Sequence, residues 1–345
     1  MKKLLTDYDK ASLAAELAPL GAERYRAEQI YGWINRGADF PEMSNVPKTL
    51  RGRLAEEYDA VGAAIIKEAV SWDGTVKFLF RLRDGSLIEG VLMKYKYGYT
   101  MCVSTQVGCR MGCAFCASGK DGLFRNLTAG EMLGEVICAN SYLEKKDPGA
   151  RVGNVVLMGS GEPLDNYENV TAFIRLLTEG QGVGQRGISL STCGLTGNIR
   201  RLADDGFSVT LCISLHSPFD DKRVRVMPSG RSYKISDIIA AAKYYFEKSG
   251  RRIIFEYAMM RGFNISAADA KALAGLAKNF PCHVNLIPLN ETGSALAGVN
   301  RREADGFLKM LAGLGVSATI RRSLGEDIEG ACGQLKRKYT ENNGG

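Results

Sequence analysis

Residues 102–116 read CVSTQVGCRMGCAFC, an apolar strand candidate that runs into a short loop with three cysteines. The spacing Cys-x3-Cys-x2-Cys brings Cys109, Cys113 and Cys116 onto one turn, and glycines interrupt that turn. Thiolates are soft ligands that suit iron–sulfur clusters or zinc. A structural zinc site needs four ligands, whereas no further Cys or His follows nearby, since the histidines are His216 and His283.

Three thiolates on a four-iron cluster would leave one iron open. That iron can chelate the amino and carboxylate groups of S-adenosylmethionine (SAM), so that an electron from the cluster cleaves its sulfonium to a 5′-deoxyadenosyl radical. The spacing favours this radical cluster, and zinc or a coincidental spacing are the alternatives.

Strand and helix patterns alternate after the cysteine loop. The apolar strand candidates are residues 101–107, 154–158, 188–191, 209–216, 253–259, 284–289 and 318–321. The amphipathic helical stretches are residues 128–143, 167–177, 235–247, 267–278 and 302–314. This alternation predicts an α/β fold with a parallel sheet, as a barrel or partial barrel. Reactive groups of such folds collect where strands end in loops.

The first 94 residues follow another pattern. Helical periodicity covers residues 13–20, 22–35 and 49–58, and alternating apolar residues then run from 64 to 93 around a turn at 83–86. The pattern predicts two domains. Residues 1–94 would form an N-terminal helical accessory module with a hairpin-like β extension, and residues 95–345 would form the barrel.

Composition excludes several protein classes. The 345 residues are 45% hydrophobic and 24% charged, which excludes a disordered, collagenous or low-complexity chain. No run approaches the roughly 20 apolar residues of a membrane span, and the N-terminus does not read as a signal peptide. We therefore expect a cytoplasmic protein without a membrane partner. Nine cysteines are too few for a disulfide scaffold.

The formal charge is unevenly distributed. Residues 1–94 hold 14 Lys+Arg and 14 Asp+Glu, so the remainder carries the whole net charge of +7. Basic side chains in that remainder, including the cluster from Lys222 to Arg231, could line a phosphate-binding face. Scattered solvated charge is the alternative.

The chain resembles the radical SAM superfamily, and more closely the RlmN/Cfr family of RNA adenine methyltransferases. Matching segments occur in order along nearly the whole chain. They are CVSTQVGC (102–109), RNLT (125–128), NVVLMGSGEP (154–163), SLHSP (214–218), VNLIPLN (284–290) and DIEGACGQL (327–335). The resemblance implies a partial (β/α)6 barrel, a [4Fe-4S] cluster on the three loop cysteines, and methylation of an adenine in 23S rRNA, in some members also in tRNA.

The resemblance also implies three catalytic residues. In the family mechanism one SAM methylates a C-terminal cysteine, matched here by Cys332, and a radical made from a second SAM activates that methyl group for addition to the adenine. Cys102 matches a second cysteine that resolves the covalent link through a transient disulfide, and Glu89 matches a proposed proton acceptor. Without the resemblance, Cys332 would be a spare thiol near the tail, Cys102 a strand residue and Glu89 a surface residue on the hairpin.

Seven residues match family positions that contact SAM. They are Gly161, Glu162, Ser191, Ser214, Leu215, His216 and Asn290. The segment GSGEP (159–163) lacks the third glycine of a dinucleotide fingerprint, which disfavours a Rossmann site. Taken alone, the serines are ordinary strand residues and His216 is a core histidine. Ser160 and Glu291 depart from the family pattern, and neither departure removes a chemical group.

Within the family, Gly161-Glu162-Pro163 and Ile287-Pro288 resemble the RlmN branch, which methylates C2. The Cfr branch methylates C8, and it has alanine after the Glu and arginine after the Ile. The resemblance further implies an electron donor such as flavodoxin or ferredoxin. We expect the target base to be extruded or to lie in unfolded RNA. Alternatives are a non-catalytic zinc-dependent RNA-binding protein and a radical enzyme acting on proteins or small molecules.

Overall fold

A computed structural model describes residues 2–289, 296–322 and 324–328, with only the backbone of Glu326 included. The described helices are α1 (Lys10–Leu17), α2 (Arg24–Ile34), α3 (Lys48–Glu57), α4 (Ala129–Lys146), α5 (Tyr167–Leu176), α6 (Thr196–Asp204), α7 (Asp220–Val226), α8 (Ile235–Ser249), α9 (Ala267–Ala277) and α10 (Arg301–Gly313). The described strands are β1 (Lys3–Leu4), β2 (Tyr58–Asp59), β3 (Ala63–Val70), β4 (Val76–Leu82), β5 (Leu87–Tyr95), β6 (Gly98–Cys102), β7 (Gln106–Gly108), β8 (Leu123–Asn126), β9 (Val152–Leu157), β10 (Ile188–Thr192), β11 (Thr210–Ser214), β12 (Ile253–Met259), β13 (Cys282–Pro288) and β14 (Ala318–Ile320).

A ten-stranded sheet forms the centre of the molecule, in the order β14-β13-β12-β11-β10-β9-β6-β5-β4-β3. The strands from β6 through β9 to β14 pair in parallel. Helices connect them because a parallel neighbour can be reached only by a crossover. The predicted α/β fold with a partial barrel is confirmed. Among the described helices, none has the length and apolar character needed to cross a membrane.

The first parallel strand is shorter than the sequence predicts. A single strand over residues 101–107 is wrong, because β6 ends at Cys102 and residues 106–108 pair with β8 in a separate two-stranded sheet. The backbone N–H groups of Thr105 and Gln106 both donate to the Ser160 carbonyl, at 2.8 and 3.1 Å. These bonds direct the chain away from the sheet and towards the loop after β9.

Strands β3, β4 and β5 continue the sheet in antiparallel fashion. The predicted turn at residues 83–86 joins β4 to β5, and a second turn at residues 71–75, which was not predicted, joins β3 to β4. Gly74 and Gly85 each have a φ of 84°, the left-handed backbone that tight turns require. Strand β5 pairs with β6, so the sheet runs across the predicted domain boundary at residue 94. That boundary stays a prediction.

The N-terminal helices enclose a core of their own, which includes Leu5, Leu13, Leu17, Ile30, Ile34, Met43 and Leu54. This module docks on the start of α4. The Asp7 Oδ1 accepts the Gly130 N–H at 2.6 Å, and the Thr6 hydroxyl donates to the Gly130 carbonyl at 3.1 Å. A Cβ at residue 130 would lie 2.6 Å from the Asp7 nitrogen, so the docking needs glycine there.

Helix α4 places a carboxyl group inside the core. Glu135 is fully buried, and both of its oxygens lie 3.2 Å from the Ser104 nitrogen, just beyond β6. Burial raises the pKa of Glu135 well above its ordinary value. The folded protein therefore favours the protonated carboxyl group at this position.

We expect Glu135→Gln to gain stability relative to the parent as pH rises from about 5 to about 8. The folded carboxyl keeps its proton above the unfolded pKa of about 4.3, so the parent loses up to about 1.4 kcal/mol per pH unit there. The amide has no proton to lose in this range. Urea denaturation across the pH range measures the difference, with the exposed Glu144→Gln on the same helix as control. Parallel pH profiles for the parent and Glu135→Gln would contradict the expectation.

Candidate cluster and cofactor site

The three cysteines of the predicted metal site lie in the loop between β7 and β8. Gly108 begins this loop with a φ of 80°, and a Cβ there would collide with the Gly122 carbonyl. That carbonyl accepts the Cys109 N–H at 2.9 Å, and the Cys113 carbonyl accepts the Cys116 N–H at 3.1 Å. Burial raises the pKa of Cys109 to about 11 and that of Cys113 to about 12. A bound metal would displace these thiol protons.

The thiols of the loop are neighbours. The charge of the Cys116 thiolate contributes to raising the pKa values of both Cys109 and Cys113. Within residues 2–289, 296–322 and 324–328, no three His, Cys, Asp or Glu side chains are close enough to share one metal ion. Thiolates are soft ligands, and three of them on one loop form a donor set that suits an iron–sulfur cluster.

Two contacts fix the cysteine loop to the barrel. The Ala114 N–H donates to the Val226 carbonyl at the end of α7, at 2.9 Å. The Phe115 ring packs edge-on against His216, with ring centroids 4.7 Å apart. The loop is thereby held beside the carboxyl end of β11, where the predicted cofactor residues Ser214, Leu215 and His216 lie.

Ser191 and Ser214 meet at the carboxyl ends of β10 and β11, as the strand pattern predicts. Their hydroxyl oxygens are 3.3 Å apart, and both face Glu256 on β12. The Glu256 Oε2 accepts the Ser191 hydroxyl at 2.5 Å and the Ser214 hydroxyl at 3.4 Å. Glu256 was not among the predicted site residues. Its signal in the sequence is a lone acidic residue within an apolar strand.

Gly161 and Glu162 follow β9. The Glu162 Oε2 accepts the Cys193 N–H at 2.7 Å, and its Oε1 accepts the Leu164 N–H at 3.1 Å. Burial raises the pKa of this carboxyl group. Gly161 has a φ of 114°, and a Cβ there would lie 2.5 Å from the Thr105 Oγ1. The glycine thus allows the segment to run close against the chain that follows β6.

Leu215 and His216 follow β11 and are buried. His216 has a φ of 54°, which is uncommon for a residue with a side chain and is often found at functional sites. Its Nδ1 accepts the Ala258 N–H at 2.9 Å, and its carbonyl accepts the Asn264 side-chain amide at 2.8 Å. Burial lowers the pKa of His216 to about 3. The imidazole is therefore neutral, with its proton on Nε2.

Arg223 is a buried arginine that the sequence did not identify as a site residue. The charge pattern placed it in a possible phosphate-binding face, but its side chain is fully buried. The guanidinium donates to the carbonyls of Cys193 at 2.5 Å, of Leu215 at 3.2 Å and of Tyr233 at 3.2 Å. Burial lowers its pKa. Arg223 therefore joins backbone segments around the site and does not face solvent.

Cys102 and Glu89 lie on the same face of the sheet. Strand pairing sets Cys102 opposite Val91, and Glu89 is two residues from Val91 on β5, so the side chains point the same way. Glu89 is buried and forms an ion pair of 3.2 Å with Lys77 on β4. The interpretation of Glu89 as a surface residue is therefore wrong. Lys77 was not predicted, although a lysine within an apolar strand is a signal.

Two predicted site residues, Asn290 and Cys332, lie outside the described residues. Their roles stay predictions.

Two family matches accompany this geometry. Residues 103–273 match the radical SAM superfamily, and residues 4–59 match the ribosomal RNA large subunit methyltransferase N-terminal domain.

Relatives are similar over nearly the full length. A protein of Clostridium perfringens (strain SM101 / Type A) named probable dual-specificity RNA methyltransferase RlmN is 47% identical, and the match covers 100% of this chain and 99% of that protein. A Lachnoclostridium phytofermentans protein of the same name is 45% identical, covering 95% and 93%. The crystal structure of a radical SAM methyltransferase from Sphaerobacter thermophilus is 43% identical, with a TM-score of 0.92 and coverage of 96% and 98%. The predicted family resemblance is confirmed.

We expect Lys77→Met to lower the free energy of unfolding by about 3 kcal/mol, because it removes the cation that pairs with the buried Glu89 carboxylate. The double variant Lys77→Met/Glu89→Leu should recover most of this loss, since it removes both charges. Urea denaturation measures both effects. The exposed Lys67→Met on β3 is the control, with an expected change within about 0.5 kcal/mol. A double variant as unstable as Lys77→Met would contradict the expectation.

Proposed function

This chain belongs to the RlmN family of radical SAM RNA methyltransferases, and from that premise we propose that it methylates C2 of a specific adenine in 23S rRNA, with tRNA as a second substrate. The supporting observation is that Cys102 and Glu89 share one face of the sheet, and that Leu324 packs against the apolar cluster that contains Cys102. Leu324 lies eight residues before Cys332, the proposed methyl carrier. The described chain near its C-terminal end thus lies at the face that carries Cys102, a few residues before Cys332 in the sequence.

The cofactors follow from the family, and this chain offers residues for each. Cys109, Cys113 and Cys116 would hold a [4Fe-4S] cluster. The residues that would hold SAM are Gly161, Glu162, Ser191, Ser214, Leu215, His216 and Asn290. When bound, the cluster and SAM supply a one-electron cleavage that yields a hydrogen-abstracting radical. Such chemistry is needed because the hydrogen on adenine C2 is not acidic enough for ordinary base catalysis.

Hydrogen bonds within the protein hold Glu162, Ser191, Ser214 and His216 in place. Two backbone N–H groups orient the Glu162 carboxylate, which keeps further lone pairs for the amino group of SAM. The hydroxyls of Ser191 and Ser214 are aligned by Glu256. Neutral His216 is fixed through its Nδ1. Preorganisation of this kind lowers the ordering cost of binding.

The two proposed catalytic cysteines have different tasks. Cys332 takes a methyl group from SAM; the carbon of that group would lose one hydrogen atom to the SAM-derived radical and bond to adenine C2, and the adduct would give up one electron. Attack of the Cys102 thiolate on the Cys332 sulfur would then break the sulfur–carbon bond, the ring proton at C2 would leave, and the freed carbon would take up a proton to become the methyl group. We propose Glu89 as the acceptor of the ring proton. The resulting disulfide must be reduced before the next cycle, as expected of a catalytic disulfide.

The proposal includes partners in the cytoplasm. The substrate is RNA in which the target base can leave its stack. A reducing protein such as flavodoxin or ferredoxin would supply electrons. The basic side chains after residue 94 would contact phosphates. Residues 1–94 have a net charge of zero, so any phosphate contacts there would be made by local patches and helix N-termini.

The choice of C2 over the Cfr-type C8 rests on Gly161-Glu162-Pro163 and Ile287-Pro288. We expect RNA with deuterium at adenine C2 to lose that deuterium when the methyl group is added, because the new bond forms at that carbon. Mass spectrometry of the digested RNA measures the loss. RNA deuterated at C8 is the control and should keep its label. Methylation with retention of the C2 deuterium would contradict the assignment.

The proposed function is tested by metal content and by the fate of a labelled methyl group. Protein purified without oxygen should contain about four irons and four sulfides, and label from SAM should map to the peptide that holds Cys332. Cys109→Ala should lose the iron, whereas Cys282→Ala, a cysteine on β13, should keep it. Iron-free protein that binds zinc would support the non-catalytic RNA-binding alternative.

A further inference from the structure

The turn between β3 and β4, residues 71–75, contacts a segment that lies 256 positions later in the chain. The Ser71 hydroxyl donates to the Asp327 Oδ1 at 2.5 Å, and the Trp72 N–H donates to the Asp327 Oδ2 at 3.3 Å. In return, the Gly325 N–H donates to the Asp73 Oδ2 at 3.0 Å. Each segment therefore contributes one carboxylate that binds donors of the other. We call residues 324–328 the C-terminal root.

The Asp73 carboxylate also organises its own turn, since its Oδ1 accepts the Thr75 N–H at 2.9 Å. Partial burial opposes the charged form, but the N–H donors of Gly325 and Thr75 outweigh it and lower the pKa of Asp73 to about 2. Hydrogen bonds to an ionised carboxylate are roughly twice as strong as those between neutral groups. The contact between turn and root is thus a charge-assisted one.

The root also packs against the catalytic face of the sheet. Leu324 contacts the small apolar cluster of Val91, Met93 and Cys102. Gly325 follows with a φ of 67°, and a Cβ there would lie 3.3 Å from the Thr75 Cγ2. Glycine therefore permits the close approach of root and turn. The root therefore contacts both the turn and the Cys102 cluster.

The length of the intervening chain limits how far Cys332 can be from the C-terminal root. Cys332 follows Asp327 by five positions, so their Cα atoms are at most about 18 Å apart. A tether that is fixed at its root raises the effective concentration of a tethered group near a partner beside the root. A released root would let the same thiol sample a larger volume.

We propose that the β3–β4 turn is a clamp that keeps Cys332 within reach of Cys102, with Ser71 and Asp327 as positioning residues. The inference rests on the proposed function, because it explains how two cysteines 230 positions apart meet repeatedly. Both positioning residues act through the root. Through this clamp, the β extension of the N-terminal half contributes to the step that resolves the protein–RNA link.

The experiment measures the effective concentration of Cys332 at Cys102 separately from RNA methylation. Cluster-loaded protein with unmethylated Cys332 is equilibrated without oxygen in mixtures of oxidised and reduced glutathione. One oxidised glutathione takes two electrons and two protons from the two thiols, which gives the Cys102–Cys332 disulfide and two reduced glutathiones. Peptide mapping reports the fraction of protein with the Cys102–Cys332 disulfide at each glutathione ratio. The squared concentration of reduced glutathione divided by the concentration of oxidised glutathione, taken where half of the protein is linked, gives the effective concentration.

We expect Asp327→Ala to lower this effective concentration about tenfold, since both donors of the turn lose their acceptor. Ser71→Ala should lower it less, and the double variant should equal Asp327→Ala, because the two residues act in one contact. Asp305→Ala, a partly exposed residue on α10, is the control and should match the parent.

Two readouts separate the clamp from a general loss of folding and from the proposed function. Iron content and cooperative unfolding identify folded variants, and Ser71→Ala removes only one hydroxyl. An unchanged effective concentration in folded Asp327→Ala and Ser71→Ala would overturn the clamp, while a methylating parent would still support the proposed function. A parent that does not methylate RNA, with the expected losses in the variants, would overturn the function and support the clamp contact.

Discussion

The edge-on contact between Phe115 and His216 joins the cysteine loop to the carboxyl ends of the parallel strands. A radical made at a cluster on this loop would have to form next to its target, so the position of the loop relative to the strand ends would matter for the proposed function. Backbone bonds reinforce the contact, since Ala114 is tied to the end of α7 and Gly108 permits the first turn of the loop. The candidate cofactor site depends on this junction.

Buried polar groups hold the strand ends in position around the junction. Arg223 donates to several carbonyls, Glu256 accepts two serine hydroxyls, and Glu162 accepts two backbone N–H groups. Each would be costly to bury alone, and each is satisfied by groups from a different strand or loop. The same bonds that offset the burial cost therefore fix the relative positions of the strands.

The antiparallel extension connects the two ends of the chain. Strand β5 brings Glu89 beside the face that carries Cys102, and the β3–β4 turn binds the root that precedes Cys332. The sheet is continuous from β3 to β14. Residues from the first hundred or so positions and from the described C-terminal residues thereby meet at one face of the sheet.

Features that depend on short spacing and local periodicity could be predicted from the amino-acid sequence alone. These include the three cysteines within eight residues, the alternation of strands and helices, and the turn at residues 83–86. The ends of strands depend on distant contacts as well: the strand predicted over residues 101–107 ends at Cys102, because bonds to Ser160, far away in sequence, direct the chain out of the sheet. Long-range packing determines which groups are buried together. The Lys77–Glu89 ion pair depends on strand register, and the inward position of Arg223 depends on how α7 packs. Periodicity reports the environment of a residue along its own element. It carries no information about the partner that a fold supplies from elsewhere in the chain, and these partners determine the electrostatics of the site.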